Sequence, residues 1–295
     1  MTWLKYQLKF INDQLIPAMS SFNPDETRLI HCGDVFDSRT SVDTVILKQV
    51  RELFKKLSEY VREIIIIAGN HDFSMHNSDK YCLPETILSD IPKIRVITRE
   101  IQVDNKYVYI PWYPAQEDMS TYTKQYKDKI IFTHTDLILN NPGKLYCPVI
   151  TGHIHTPLIK GNIYNLGSCY PLTFADANQT RYYYTIQDED ISTLAAFPNT
   201  SSISFYRFND LSQVKDCELD DYIEVTIPQS TIIEKKSKIN KLHASYKNFV
   251  VIPQFIKTPI LETEGLDLNR NTIDDMITQA IPQDLIDIYN ECMQA

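Results

Sequence analysis

The residues able to do chemistry in this 295-residue chain gather at a few joints. Short apolar runs lead into GD (Gly33, Asp34), GNHD (69–72), TH (Thr133, His134) and GHIH (152–155). Carboxylate, amide and imidazole donors of this kind suit a divalent transition metal such as Mn2+, whereas structural zinc favours cysteine. Two such ions about 3.5–4 Å apart can clamp a phosphoryl group and activate a water. A carboxylate such as Asp34 can bridge them. His71 directly follows the ligand-type Asn70, so it can stand beside the ions and act on a leaving oxygen. Each fragment alone has an ordinary explanation: GD a turn, His134 a core histidine, GHIH two surface histidines. Their order, each behind a strand-like run, points to phosphoryl chemistry.

Scarcity sharpens the pattern. There are seven glycines, against roughly twenty at average usage of about 7%. Four of them (Gly33, Gly69, Gly152, Gly167) follow strand-like runs and adjoin a polar residue, where a Cβ would crowd the backbone. Four of the seven histidines (His71, His134, His153, His155) lie at the same joints.

These joints need strands to place them. Residues 28–32, 63–68, 94–98, 129–133, 148–151 and 163–166 are short and apolar, as strands covered on both faces should be. A hairpin pairs 101–103 with 107–110. Residues 3–19 carry apolar side chains at helical spacing, with an end expected near Pro17. Thr40 is placed to cap a second helix running to about Tyr60, with Asp43 completing the capping box. Strands at 182–186 and 191–195 follow. After about residue 202 the texture changes to a βαβ module (222–227, 230–243, 249–256), and from Asn271 to two short helices broken at Pro282. Open α/β sheets bind ligands at strand carboxyl ends, where all the candidate donors fall.

Composition sets the limits. Hydrophobic residues at 43% and charged residues at 23% describe a globular chain. A net charge of −9 excludes a basic nucleic-acid coat. The longest apolar run, 64–68, is too short to span a bilayer, and no secretory leader is evident; the expectation is a soluble, cytoplasmic protein. Six scattered cysteines without a C-x-x-C pair are expected to be reduced.

At GDVFDSR, GNHDF, IPWYP and GHIHTP followed by YNLGSCYPLTFAD, the chain resembles the calcineurin-like metallophosphoesterases. More narrowly, it resembles the SbcD-type nuclease subunits of double-strand-break repair complexes, including their T-even phage form. The resemblance implies an α/β fold: a metallophosphoesterase β-sandwich flanked by helices, with a small α/β capping domain and a C-terminal helical tail. The implied divisions are a nuclease domain over 1–202, a capping domain over 203–260 and a partner-docking tail over 261–295. It also implies two divalent cations, Mn2+ foremost, with Asp34 bridging both. Asn70, His134 and His153 then serve the second ion, His155 the first, and His71 is catalytic. The implied partners are DNA, as substrate, and an SbcC-type ATPase with a coiled coil; a homodimer is possible and no membrane is involved.

One departure stands out. Such proteins open with a strand ending in D-x-H, and neither Asp13 nor Asp25 is followed by His two residues later. The first ion's ligand set is thus reduced to Asp34 and His155. A chain cut short at its N-terminus is the preferred reading over a one-metal protein. Asp37 and Asp72 are expected to brace the ligand loops. Arg39 is either a phosphate contact or a solvated loop residue. The lysines of EKKSKINK (234–241) read as a solvated helix face, and His31 as core. Two further functions stay open: a catalytically impaired scaffold for DNA and the ATPase, and a phosphatase or small-molecule diesterase.

Overall fold

The computed structural model describes residues 2–38, 41–75, 78–115, 119–136 and 143–254. Arg39, Thr40, His76 and the segments expected after residue 254 lie outside the described residues. The first helix, α1 (Thr2–Phe10), passes through a π-helical turn (Ile11–Leu15) and resumes as α2 (Ile16–Met19). Pro17 does not end it. A proline lacks an N–H and its ring would strike the carbonyl four residues back. The widened turn, in which the Ile16 N–H reaches the Ile11 carbonyl, resets the ladder ahead of Pro17. The proline then sits in a first turn, where no N–H is required.

Strand β1 (Arg28–His31) leads to α3 (Thr44–Leu57), and then come β2 (Glu63–Ile67), the hairpin β3 (Phe73–Met75) and β4 (Ser78–Cys82), α4 (Leu83–Leu88) and β5 (Ile94–Ile97). The cap of α3 is Asp43, whose carboxylate accepts from the Val45 N–H at 2.7 Å. The expected capping box from Thr40 therefore starts three residues too early. β6 (Gln102–Val103) and β7 (Tyr107–Ile110) form the expected hairpin, followed by α5 (Trp112–Ala115), α6 (Met119–Gln125), β8 (Ile130–His134), β9 (Val149–Gly152), β10 (Leu158–Lys160) and β11 (Ile163–Asn165).

Two sheets result. One is parallel, in the order β1-β2-β5; the other runs β10-β11-β9-β8-β7-β6, parallel in its centre with antiparallel edges. Side chains alternate along a strand, so the continuous EIIII run serves two cores. Ile64 and Ile66 meet Phe10, Phe54 and Leu57 of the helices. Ile65 and Ile67 meet Tyr109, Phe132 and Ile150 of the other sheet. On that sheet Val108, Ile110, Ile131 and Val149 turn outward to Ala115 and Met119. The layers are helix, sheet, sheet, helix, the sandwich expected from the resemblance.

Beyond it, β12 (Tyr182–Thr185) pairs antiparallel with β13 (Ala195–Pro198). The partner was expected at 191–195, but 191–193 is a 3-10 turn. Asp190 accepts from the Ser192 N–H, and the Thr193 hydroxyl bonds the Gln187 and Asp190 carbonyls. Such local side-chain bonds compete with strand pairing. The last module contains a strand absent from the expectation, β14 (Phe205–Phe208), parallel to β15 (Tyr222–Pro228); α7 (Ile232–Ser245) and β16 (Asn248–Gln254) complete it. It has its own core around Val214, Ile223, Val225 and Phe249. The five described cysteines are free. No helix among the described residues is long and apolar enough to cross a membrane.

Candidate metal centre

Four strand carboxyl ends meet at one place, two from each sheet. β1 and β2 are parallel neighbours in the first sheet and deliver Asp34 and Asn70. β8 and β9 are parallel neighbours in the second, with His134 opposite Gly152, and deliver His134 and His153. The four ligand-type atoms converge. Asp34 Oδ2 lies 3.1 Å from His134 Nε2. Asn70 Oδ1 lies 3.1 Å from His134 Nε2 and 3.0 Å from His153 Nδ1. The two imidazole nitrogens are 3.1 Å apart. Asp34, His134 and His153 form a cluster in which each offers an atom within 4.8 Å of the others.

The backbone is shaped for this convergence. Gly33 has φ +96°, and a Cβ there would fall 2.1 Å from His134 Nδ1; one on Gly69 would fall 2.2 Å from Asp34 Oδ1. Asp34 and His153 themselves adopt positive φ, +56° and +84°. Left-handed backbone at a non-glycine residue costs about 1–3 kcal/mol and persists where the surroundings enforce it. Asp72, buried, does much of the enforcing: its carboxylate accepts the N–H groups of Asp34 (3.0 Å), Val35 (2.9 Å) and Gly69 (2.9 Å). Burial and the Asp34 charge push its pKa up to about 7, against the pull of those N–H groups.

Electrostatics fits a cation-binding set. The His134 Nδ1 bonds the Cys32 carbonyl at 2.7 Å, which requires that nitrogen to carry the proton. Nε2 therefore aims its lone pair at the cluster when the ring is neutral. Burial would lower the His134 pKa, but the hydrogen bond to Asp34 and its charge outweigh burial and raise it. Burial would raise the Asp34 carboxyl, yet His134 and the His71 N–H hold it below the usual carboxylate range. For His153, burial and the neighbouring His134 lower the pKa, which favours the neutral ring that ligation requires. Carboxylate and amide oxygen with two imidazole nitrogens is a donor set for Mn2+ or a similar divalent ion.

The remaining candidates sit around this core. The His71 N–H donates to Asp34 Oδ1 at 2.8 Å, and its ring Nδ1 lies 2.5 Å from the Asp37 carbonyl oxygen. The Asp37 carboxylate is further off, 4.0 Å from that nitrogen. His155 is not in the cluster. Its side chain is 45% exposed, and Nδ1 lies 3.9 Å from Asp176. Its backbone carbonyl accepts from Arg181, which also pairs with Asp176 at 2.7 Å; those two side chains are 2% and 3% exposed. Trp112 and Asp136 had not been singled out as site residues. The Trp112 ring lies 5.0 Å from that of His153 and 5.8 Å from that of His134, walling the cluster. Asp136 Oδ1 is 4.0 Å from His153 Nε2. Both follow the same rule as the ligands, lying just past the ends of β7 and β8.

Comparison with known proteins points the same way. The family model for calcineurin-like phosphoesterases matches residues 8–168. Exonuclease subunit 1 of Enterobacteria phage T4 is 24% identical over 181 residues, 55% of this chain and 53% of the phage protein. The chain thus spans about half the length of that relative.

Proposed function

The chain belongs to the calcineurin-like phosphoesterases, and on that premise we propose that it hydrolyses phosphodiester bonds in DNA as one subunit of a nuclease. The observation that carries the reading is the convergence of Asp34, Asn70, His134 and His153 from four loops, with His71 beside them. These four residues would hold the divalent cation, Mn2+ foremost. When bound there, such an ion supplies Lewis-acid polarisation of a phosphoryl oxygen and a lowered pKa for bound water. His71 does the proton work. Its Nδ1 is committed to the Asp37 carbonyl, so Nε2 is the atom that meets the substrate and, when protonated, gives its proton to the leaving oxygen. Asp72 keeps the Asp34 and Asn70 loops in register, and Trp112 keeps one side of the two imidazoles dry.

The likeness to a protein named as an exonuclease subunit supports a multi-subunit assembly. The proposed partner is an SbcC-type ATPase, the setting recombination and double-strand-break repair in the cytoplasm. In this reading 1–202 is the nuclease part, 203–260 caps DNA, and 261–295 docks the ATPase. The test is hydrolysis of linear duplex DNA in Mn2+, with and without that ATPase. Turnover of bis(4-nitrophenyl) phosphate with none on DNA, partner present, would replace the nuclease by a small-molecule diesterase.

A second reading has its own support. His155 stands outside the cluster, and the described residues gather donors for one ion. A one-cation scaffold holding DNA and the ATPase would bind a single Mn2+ by calorimetry and cut nothing. Two bound ions with turnover would reject it.

A further inference from the structure

Two members of the metal cluster hold left-handed backbone, Asp34 and His153. Asp72 enforces the first through the N–H groups around it. On the other sheet the corresponding work falls to Asn165. This residue closes β11, which runs parallel to β9 with Asn165 opposite Thr151. Its side chain therefore lies beside the loop that leaves β9 through Gly152, and it is buried there. Its Nδ2 donates to the Ile154 carbonyl at 2.9 Å and to the Thr156 carbonyl at 2.7 Å. The carbonyl between them, that of His155, accepts from the Ser168 N–H at 3.1 Å and from Arg181. Three successive carbonyls just past His153 are thus held.

The asparagine is not explained by burial. Two donor bonds from one nitrogen fix the amide's orientation, because turned over its oxygen would face two carbonyl oxygens. Set this way, Oδ1 is buried with no hydrogen-bond partner among the described residues. An unmade buried acceptor costs stability, and an apolar side chain of the same size would avoid that cost. What selects asparagine is the pair of carbonyls. Without that grip the loop is free to relax out of the left-handed turn, a sparsely populated conformation that persists only where the surroundings impose it. Only the fraction of molecules still in the turn could then ligate, and apparent Kd rises as the inverse of that fraction.

We propose that Asn165 is a positioning residue for the metal centre: by gripping the Ile154 and Thr156 carbonyls it holds His153 in the turn that brings Nδ1 to 3.0 Å from Asn70 Oδ1 and 3.1 Å from His134 Nε2, and so sets the site's affinity for a divalent cation. The proposal rests on the metal-centre reading above and names the residue, remote from the ion, on which that centre depends.

The probe is Mn2+, titrated calorimetrically into the whole metal-free chain, with the metal-free melting temperature read alongside. Asn165→Ala should raise Kd about 10–100-fold, the usual effect of losing a group that orients a ligand. Asn165→Leu fills the space that alanine leaves but brings no donor. Its melting temperature should exceed that of Asn165→Ala while its Kd stays as high. A Kd within about twofold of wild type in either variant, or one that recovers together with the melting temperature, would make Asn165 ordinary packing and overturn the proposal. Failure of both variants to fold would make it a determinant of the fold, with the same consequence. An absence of Mn2+ binding by wild type would instead reject the metal centre itself, a result distinct from wild-type binding that Asn165 does not affect.

Discussion

Asp34 and His71 are joined by a 2.8 Å hydrogen bond, yet the proposed chemistry gives them separable duties. Asp34→Asn keeps the shape and the tolerance for positive φ but removes the charge, so bound metal and activity should both fall. His71→Ala should lower turnover by about 10²–10⁴-fold, the usual worth of general acid catalysis, with metal content nearly unchanged. Atomic absorption on the two variants checks this; equal metal loss in both would make His71 a ligand. At this scale much was legible beforehand. Asp34, Asn70, His134 and His153 were nominated by residue type and by position after strand-like runs, and the fold brings those four together. His155 shares a motif with His153 but stands outside the cluster: the chain turns at His153, with φ +84°, and Arg181, paired with Asp176, holds the His155 carbonyl. Trp112 was not legible as a site residue, because an aromatic ring at a strand end carries no ligand chemistry of its own.

Among the elements, the loop after β9 depends on a buried ion pair. Asp176 accepts from the Leu172 and Thr173 N–H groups and from Arg181, while Arg181 reaches the His155 carbonyl. Breaking a buried pair by removing one partner typically costs 3–5 kcal/mol, so Arg181→Ala should lose about that much in urea unfolding. A loss below about 1 kcal/mol would show the pair to be replaceable by water. β1 carries a second test. The His31 ring is edge-on to Phe54, its Nδ1 buried without a hydrogen-bond partner in the described structure. Burial lowers its pKa to about 4, against an opposing pull from Asp34. Above about pH 6.5 both folded and unfolded chains hold it neutral, and its full contribution is present. From 6.5 down to 4 only the unfolded chain takes the proton, so stability falls by at most about 1.4 kcal/mol per pH unit. Metal-free His31→Phe should therefore lose about 1–3 kcal/mol less than wild type across that window. Parallel pH curves would refute it. Element existence was readable wherever apolar runs were continuous, as at 63–67. It failed at 191–195, where local hydrogen bonds displaced the strand, and at β14, whose short FYRF run only makes sense beside β15; the start of α3 was set by the Asp43 cap.

Taken whole, the molecule carries a net charge of −9 and would meet DNA against its own field. Binding by the isolated chain should then neutralise few phosphates. Since log K falls with log salt at about −0.9 per phosphate neutralised on duplex DNA, a slope shallower than about −3 is expected in Mn2+. A slope steeper than about −5 would reveal a basic surface, and replacing Lys235, Lys236, Lys238 and Lys241 by Gln would show whether α7 supplies it. The sandwich of the two parallel-centred sheets was expected from the family resemblance. The salt behaviour follows only from composition.

The four donors come in pairs from opposite halves of the sandwich, and that division has a mechanical side. An ion held by Asp34 and Asn70 on one sheet and by His134 and His153 on the other acts as a clasp across the interface. Its binding energy becomes resistance to sliding of the sheets: at a hundredfold excess over Kd, about 2.7 kcal/mol. The relation runs both ways. Any load that shears one sheet against the other, applied as far away as the outer helices, is felt by the clasp as a loss of grip. On the proposed function, the grip on the ion would depend on the registry of the two sheets as much as on the ligands themselves.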